Sequence, residues 1–262
     1  MHIVVILRLV PDLSDELDLA EDGKSIDREW VGIALSEFDE QALEEAVLLK
    51  EAILPKDGGG AKVTAIARAG EGVERMLQGA LARGADSAIL LEGDEEEYLD
   101  SRATAPIFAE ALRSLQPDLV LTGVQTIEDI FGQLAPYLGR LLDWPQVSAV
   151  SGVELGERSC ILRQEYSGGR QARIEVDLPA VVGLQTASQP PRYVSASKLK
   201  EAMKSGEISR LPAAAEPMHN RAEIESLAPP DRTAGARMLG DEPEGAAAAI
   251  LDALDERDLI SR

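Results

Sequence analysis

The chain has 262 residues and a formal net charge of −21, with 47 Asp and Glu against 26 Lys and Arg. That balance argues against nucleic acid, whose phosphates need a basic footprint, and disfavours an anionic membrane surface. Hydrophobic residues at 45% make a globular mix, and with aromatics at only 3% the core must come from Ala, Val, Leu and Ile. One cysteine, Cys160, is incompatible with a disulfide framework or a Cys-based zinc cage, and His2 and His219 are too far apart to suggest a metal site. The first residues lack the basic start and cleavage site of a secretion signal, and no apolar run reaches the roughly 18 residues of a membrane span. A soluble, cytoplasmic protein is expected, with no membrane insertion and no metal.

His2–Val10 (HIVVILRLV) is nearly continuously apolar, as expected of a strand covered on both faces. A polar stretch runs to Asp27. A helix then starts at Ser36, with Ala42, Leu43, Ala46, Val47 and Leu49 on one face; Ser36 and Asp39 have the spacing of a capping box. Strands are predicted over Ala61–Arg68, Ser87–Leu91 and Asp118–Gly123, and helices over Glu71–Leu81, Arg102–Leu115 and Glu128–Leu142. This alternation predicts an α/β fold, a three-layer sandwich with a mostly parallel, doubly wound sheet. After Pro145, four strands follow (Val147–Leu155, Cys160–Tyr166, Gln171–Val176, Ala180–Leu184), with Ser167-Gly168-Gly169 as a hairpin turn. From Ser188 the pattern is irregular and only Glu244–Leu254 looks helical. Residues 1–187 are therefore read as one α/β domain and 188–262 as an arm that packs on a partner.

In such a sheet, ligands gather beyond the carboxyl ends of the strands, here Leu7–Asp12, Ile66–Gly70 and Thr122–Gln133. The turn Gly123-Val124-Gln125-Thr126-Ile127-Glu128-Asp129-Ile130-Phe131-Gly132-Gln133 starts on a strand-end glycine and leads into a helix, whose free N–H groups favour an anion. It is neither a P-loop nor a dinucleotide fingerprint, and an ordinary capped helix start is the other reading. The acidic run Asp94–Glu97 reads as a solvated loop, Cys160 as a small core residue, and Trp144 as a packing anchor. No nucleophile elbow or acid/base pair stands out, so no catalytic residue is assigned, and binding or carrying is favoured over bond breaking.

Several segments in order resemble the small (beta) subunit of electron transfer flavoproteins. The most specific is Leu162–Tyr193, LRQEYSGGRQARIEVDLPAVVGLQTASQPPRY; Ala42–Glu51, Gly79–Asp86, Asp118–Gln146 with its closing LDWPQ, and Pro229–Gly235 (PPDRTAG) agree with it. The resemblance implies a heterodimer with a larger alpha subunit that holds a redox FAD, the beta chain forming one wall of that site. It further implies a structural AMP in the beta chain's own cleft, or a second FAD in electron-bifurcating members that oxidise NADH. Flavin dehydrogenases and a quinone oxidoreductase would be the transient partners. Carried over by position, the nucleotide pocket comprises Ile6, Ser36, Glu37, Phe38, Asp39, Arg68 and the wall Gly123–Leu134. The phosphate lies near Gly132, Gln133 and Leu134, Asp129 holds ribose hydroxyls or orients the loop, and Phe38 approaches the redox flavin. The chain departs from the family at Gly132-Gln133-Leu134, where a hydroxyl donor is missing, and at Arg68-Ala69-Gly70, where Arg68 either replaces phosphate contacts or faces solvent. The stretch after Arg192-Tyr193 resembles the partner-recognition loop, with Ala196 at its usual leucine and Lys198, Leu199 and Lys200 following; a solubilising charged linker is the plainer alternative. A stand-alone adenine-nucleotide-binding regulator of similar architecture is the remaining possibility.

Overall fold

Ile3 and Val5 of strand β1 (His2–Ile6) face one apolar core while Val4 and Ile6 face another, and all four are fully buried. This alternation makes β1 the centre of a sheet covered on both sides. In a computed structural model, which describes residues 1–14, 17–29, 31–53, 60–93, 99–129, 131–220, 222–229, 238–239 and 242–260, the chain forms two compact units, Met1–Glu225 and Ser226–Arg262.

After β1 come a small antiparallel pair, β2 (Leu9–Pro11) and β3 (Ile33–Leu35), and helix α1 (Glu37–Ala52). The order continues β4 (Lys62–Arg68), α2 (Val73–Arg83), β5 (Ser87–Glu92), α3 (Ser101–Leu115), β6 (Leu119–Gly123) and α4 (Leu134–Leu142). Then follow β7 (Gln146–Leu155), β8 (Ser159–Tyr166), β9 (Arg170–Asp177), β10 (Ala180–Leu184), α5 (Ala196–Ser205) and β11 (Ile208–Pro212). The sheet runs β11-β5-β4-β1-β6-β10-β7-β8-β9. Its first seven members are parallel neighbours, and β8 and β9 extend it as an antiparallel hairpin. Helices α1 and α2 cover one face and α3 and α4 the other, giving three layers. The second unit contributes α6 (Pro243–Asp255).

Chain order gives the sheet its functional geometry. From β1 the chain moves outward through β4 and β5, then α3 carries it back to β6 on the other side of β1. The strand order therefore reverses between β1 and β6, and the crevice beyond their carboxyl ends is where such sheets take ligands.

Four expectations are corrected. The helix expected from Glu128 starts at Leu134, because Gly132 has φ +55° and its N–H is turned to Asp129, a conformation that a helix interior does not allow. The helix expected from Glu71 starts at Val73, after Gly72 at φ +75°. The apolar run His2–Val10 is split into β1 and β2. The segment after Ser188 is not structureless: α5 packs on α2, and β11 adds a parallel edge strand to β5, with Ile208 and Leu211 entering the two cores. Cys160 is wholly buried and Trp144 packs against the α3–α4 core. The acidic run Asp94–Glu97, Ile130 and most of Pro229–Gly235 lie outside the described residues.

Candidate functional site

The crevice between β1 and β6 is organised by a carboxylate at the start of α1. Asp39 is fully buried, and such a charge is tolerable only if its oxygens are saturated with donors. Its Oδ2 accepts the backbone N–H and Nε–H of Arg8 at 2.9 Å each, and its Oδ1 accepts Arg8 Nη2 at 2.8 Å and the Gly123 N–H at 2.8 Å. The pair is bidentate, the strongest form of charge-assisted contact. One side chain thus fastens the ends of β1 and β6 to the first turn of α1. The capping box does not form: Ser36 makes no side-chain cap bond, its N–H donates to the Arg8 carbonyl at 2.9 Å, and the Asp39 carboxylate serves the tertiary network.

Arg8 was not among the residues singled out from sequence, although its signal was present. It is a lone arginine in an apolar run, and a guanidinium there requires a carboxylate from elsewhere in the fold. It also donates to the Gly123 carbonyl at 3.2 Å, and Nη1 lies 4.0 Å from Asp129 Oδ2. Asp129, itself buried, orients the loop after β6. Oδ1 accepts the Gly132 N–H at 3.3 Å, Oδ2 accepts the Ser101 hydroxyl from the start of α3, and the Asp129 N–H is held by Thr126 Oγ1 at 3.1 Å. Ser101 and Thr122, whose hydroxyl lies 3.5 Å from Arg8 Nη2, also escaped the sequence reading, since an isolated hydroxyl carries no spacing signal.

Gly123 and Gly132 are required here. A Cβ on Gly123 would stand 2.5 Å from Asp39 Oδ1 and 2.6 Å from the Phe38 carbonyl carbon; on Gly132 it would stand 2.8 Å from Gln125 Cβ. The loop thus packs with no room for a side chain at either glycine.

Two helices begin at the crevice and differ electrostatically. The first turn of α1 carries Glu37, Asp39 and Glu40, which already answer its positive end. The first turn of α4 has no acidic residue, and its N-cap residue Gln133 makes no side-chain cap bond. An anion is favoured at α4 rather than α1. Gln133 and the N–H of Leu134 lie at that end, while the Gly132 N–H is turned to Asp129.

The remaining predicted residues divide. Ile6 and Leu134 are wholly buried in the α3–α4 core, so only their backbones are left to face a ligand. Ser36 is buried, Phe38 and Arg68 are half-buried, and Arg68 ends β4 beside β1. Val124 is half-buried and Gln125 exposed, while Ile127 and Phe131 turn outward, 44% and 46% exposed. Glu128 bonds Arg28 at 2.6 Å, fastening the loop before β3 to the loop after β6; burial raises its carboxyl above the ordinary range, and Arg28 opposes that shift. Glu37 instead lines a separate groove of about 1050 Å³, with Leu9, Leu35, Met76, Tyr193 and Leu199. Leu199 is half-buried in that groove, whereas Ala196, Lys198 and Lys200 are exposed. Among the described residues no cluster of three His, Cys, Asp or Glu side chains is placed to hold a metal, and no helix is long and apolar enough to cross a membrane.

The pattern of the family described as the electron transfer flavoprotein domain matches residues 25–216, well over half of the chain. The chain belongs to the electron transfer flavoprotein beta-subunit family. Curated relatives are similar over about three quarters or more of their lengths. The electron transfer flavoprotein subunit beta of Syntrophomonas wolfei is 30% identical over 253 residues, covering 96% of this chain and 95% of the relative. That of Bacillus subtilis is 30% identical over 254 residues, covering 94% and 95%. That of Clostridium acetobutylicum is 33% identical over 199 residues, covering 76% and 74%. The electron transfer flavoprotein match spans β3 to β11 and so takes in Asp39, Gly123 and Asp129, while Arg8 lies ahead of it.

Proposed function

We propose that this chain is the small subunit of a cytoplasmic electron-carrying heterodimer and that its β1/β6 crevice holds an adenylate, AMP, as a structural element. The observation that carries the reading is the contrast at the crevice: α4 begins there with no side-chain cap and no acid in its first turn, while Asp39 and Asp129 fix the surrounding loops. The donor set suits a nucleotide. Backbone N–H groups near Gly132–Leu134 would take the phosphate, and Asp129 would keep the loop in place or meet ribose hydroxyls.

The redox FAD would be held chiefly by the alpha subunit and would supply the electron-accepting chemistry when bound. For its part the beta chain would shield one side of that site with Phe38 and the exposed Ile127 and Phe131 at the crevice rim. Electrons would come from flavin dehydrogenases and pass to a quinone oxidoreductase or similar acceptor. No proton transfer by this chain is required, so its role is that of a carrier subunit rather than a catalyst. Tyr193, Leu199 and the lysines of α5 would form the surface met by the dehydrogenase.

The test is co-expression with the alpha partner, purification of the complex, and mass spectrometry of nucleotides released on denaturation. One FAD and one AMP per heterodimer is the expected result. Two FAD and no AMP would replace it with the bifurcating reading. A flavin-free homodimer would overturn both.

A further inference from the structure

Residues 185–195, between β10 and α5, form neither helix nor strand, yet their backbone is not left to solvent. Consecutive turns of α1 take it up. Gln41 Oε1 accepts the Ala187 N–H at 2.9 Å. Glu45 accepts the Ser188 N–H at 2.7 Å and the Ser188 hydroxyl at 2.9 Å, while its Oε1 also accepts the Val153 N–H of β7 at 3.1 Å. Glu44 accepts the Arg192 N–H at 2.9 Å and its guanidinium at 2.8 and 3.0 Å, and Glu51, two turns on, takes the other edge of the same guanidinium at 2.7 Å.

Glu44 is 4% exposed and Glu45 1% exposed. Two adjacent buried carboxylates are an expensive choice for a helix whose neighbours Ala42, Leu43, Ala46 and Val47 are all core. Replacing buried charges by apolar groups is often neutral or stabilising, so net stability does not account for them. What the carboxylates supply is direction: each oxygen fixes an amide of a segment that has no ladder of its own. The Arg192 guanidinium is held more firmly charged by Glu51 first and Glu44 second, and Glu51 in turn is lowered by Arg192.

The residue after the clamp is Tyr193, 91% exposed, and α5 with Leu199 begins three residues later. We propose that Glu44 and Glu45 are positioning residues for partner recognition, holding segment 187–192 so that Tyr193 and α5 stand in a fixed pose toward the dehydrogenase. This rests on the reading of the chain as an electron carrier subunit. Because Asp39 and Glu44 lie about 7.5 Å apart along one rigid helix, the same element that closes the crevice also aims the recognition segment.

The experiment uses the whole heterodimer with a purified flavin dehydrogenase that reduces the wild-type complex, and compares Glu44→Ala, Glu44→Gln, Glu45→Gln, Tyr193→Ala and Glu110→Ala. Glu44→Ala is expected to raise KM for the heterodimer about tenfold or more, with kcat and flavin content little changed. It should also speed hydrogen exchange in peptides covering 187–194. Glu44→Gln, which keeps an acceptor for the Arg192 N–H, should fall between it and wild type, and the surface control Glu110→Ala should do nothing. If Glu44→Ala does not fold, Glu44→Gln and Glu45→Gln carry the same comparison. A KM raised by Tyr193→Ala but by neither glutamate variant would overturn the positioning role while leaving the carrier reading intact. If Tyr193→Ala has no effect either, segment 187–199 is not the recognition surface and the inference falls with it. If no flavin dehydrogenase reduces a flavin-loaded wild-type complex, the carrier reading itself fails.

Discussion

Oδ1 of Asp39 accepts the Gly123 N–H at 2.8 Å, and a Cβ added to Gly123 would stand 2.5 Å from that same oxygen. The hydrogen bond and the missing side chain are one device, because β6 can approach α1 this closely only without a Cβ. Gly123→Ala must push the Phe38–Asp39 backbone away or lose the bond. A loss of about 1–3 kcal/mol is expected, the usual range for overpacking a tight interior. Urea unfolding measures it, and a midpoint equal to wild type would contradict the close approach. Nucleotide retained through purification should fall in the same variant.

Arg8 and Asp39 should each be costly to replace, by different routes. Asp39→Ala removes both oxygens at once, leaving the Arg8 guanidinium, the Arg8 N–H and the Gly123 N–H without their acceptor. About 3–5 kcal/mol is expected, as for a broken buried ion pair. Arg8→Met leaves the fully buried Asp39 carboxylate with two backbone amide donors and no cation, so about 3–5 kcal/mol is expected there too. A loss below about 1 kcal/mol for Arg8→Met in urea unfolding would mean that the backbone amides alone satisfy the carboxylate.

What sequence reading reached and missed at this site follows one division. The parallel sheet and its helices were legible because burial on both faces writes apolar periodicity directly into β1, β4, β6 and β10. The pairings that close the crevice were not, because the partners are distant along the chain: Arg8 meets Asp39 31 residues away, and Asp129 meets Ser101 28 residues away. Ser36 and Asp39 matched a local capping rule, but a tertiary contact outbid the local one. The loop before α4 read as helix since Glu128, Asp129 and Ile130 are acceptable helix residues, and only the left-handed Gly132 rules it out. Helix α5 was hidden by its lysines, because a helix that buries one narrow stripe, here Leu199 and Ala202, barely departs from a charged linker. Resemblance to a family supplied the positions of the crevice loop that periodicity alone could not.

Cys160 offers a direct check on how firmly the antiparallel end of the sheet is packed. Its side chain is fully buried on β8, and burial pushes the thiol up to about 11. At about pH 8 only on the order of a thousandth is thiolate, the reactive form, and that fraction is itself shielded from reagent. A disulfide exchange reagent should therefore label no thiol in the native protein and one per chain in guanidinium. Rapid labelling of the native protein would show that the β7–β8–β9 hairpin opens far more readily than its packing implies.

His2 sets an acid-side limit on stability. It begins β1, its Nε2 lies 2.9 Å from Thr64 Oγ1, and that hydroxyl lies 2.9 Å from Ser87 Oγ on the next strand. Burial, and then the nearby Lys62, lower its pKa below the ordinary 6.5. A histidine lowered in this way is neutral in the folded chain while the unfolded chain takes up a proton. Its contribution is therefore present in full above pH 6.5 and is lost as pH falls through the lower, folded value. His2→Gln keeps a hydrogen-bonding group for Thr64 and removes the proton uptake. The difference in urea midpoint between wild type and this variant should shift in favour of the variant as pH is lowered from about 7.5 to about 5, and a pH-independent difference would place the imidazole in water rather than between β1 and β4.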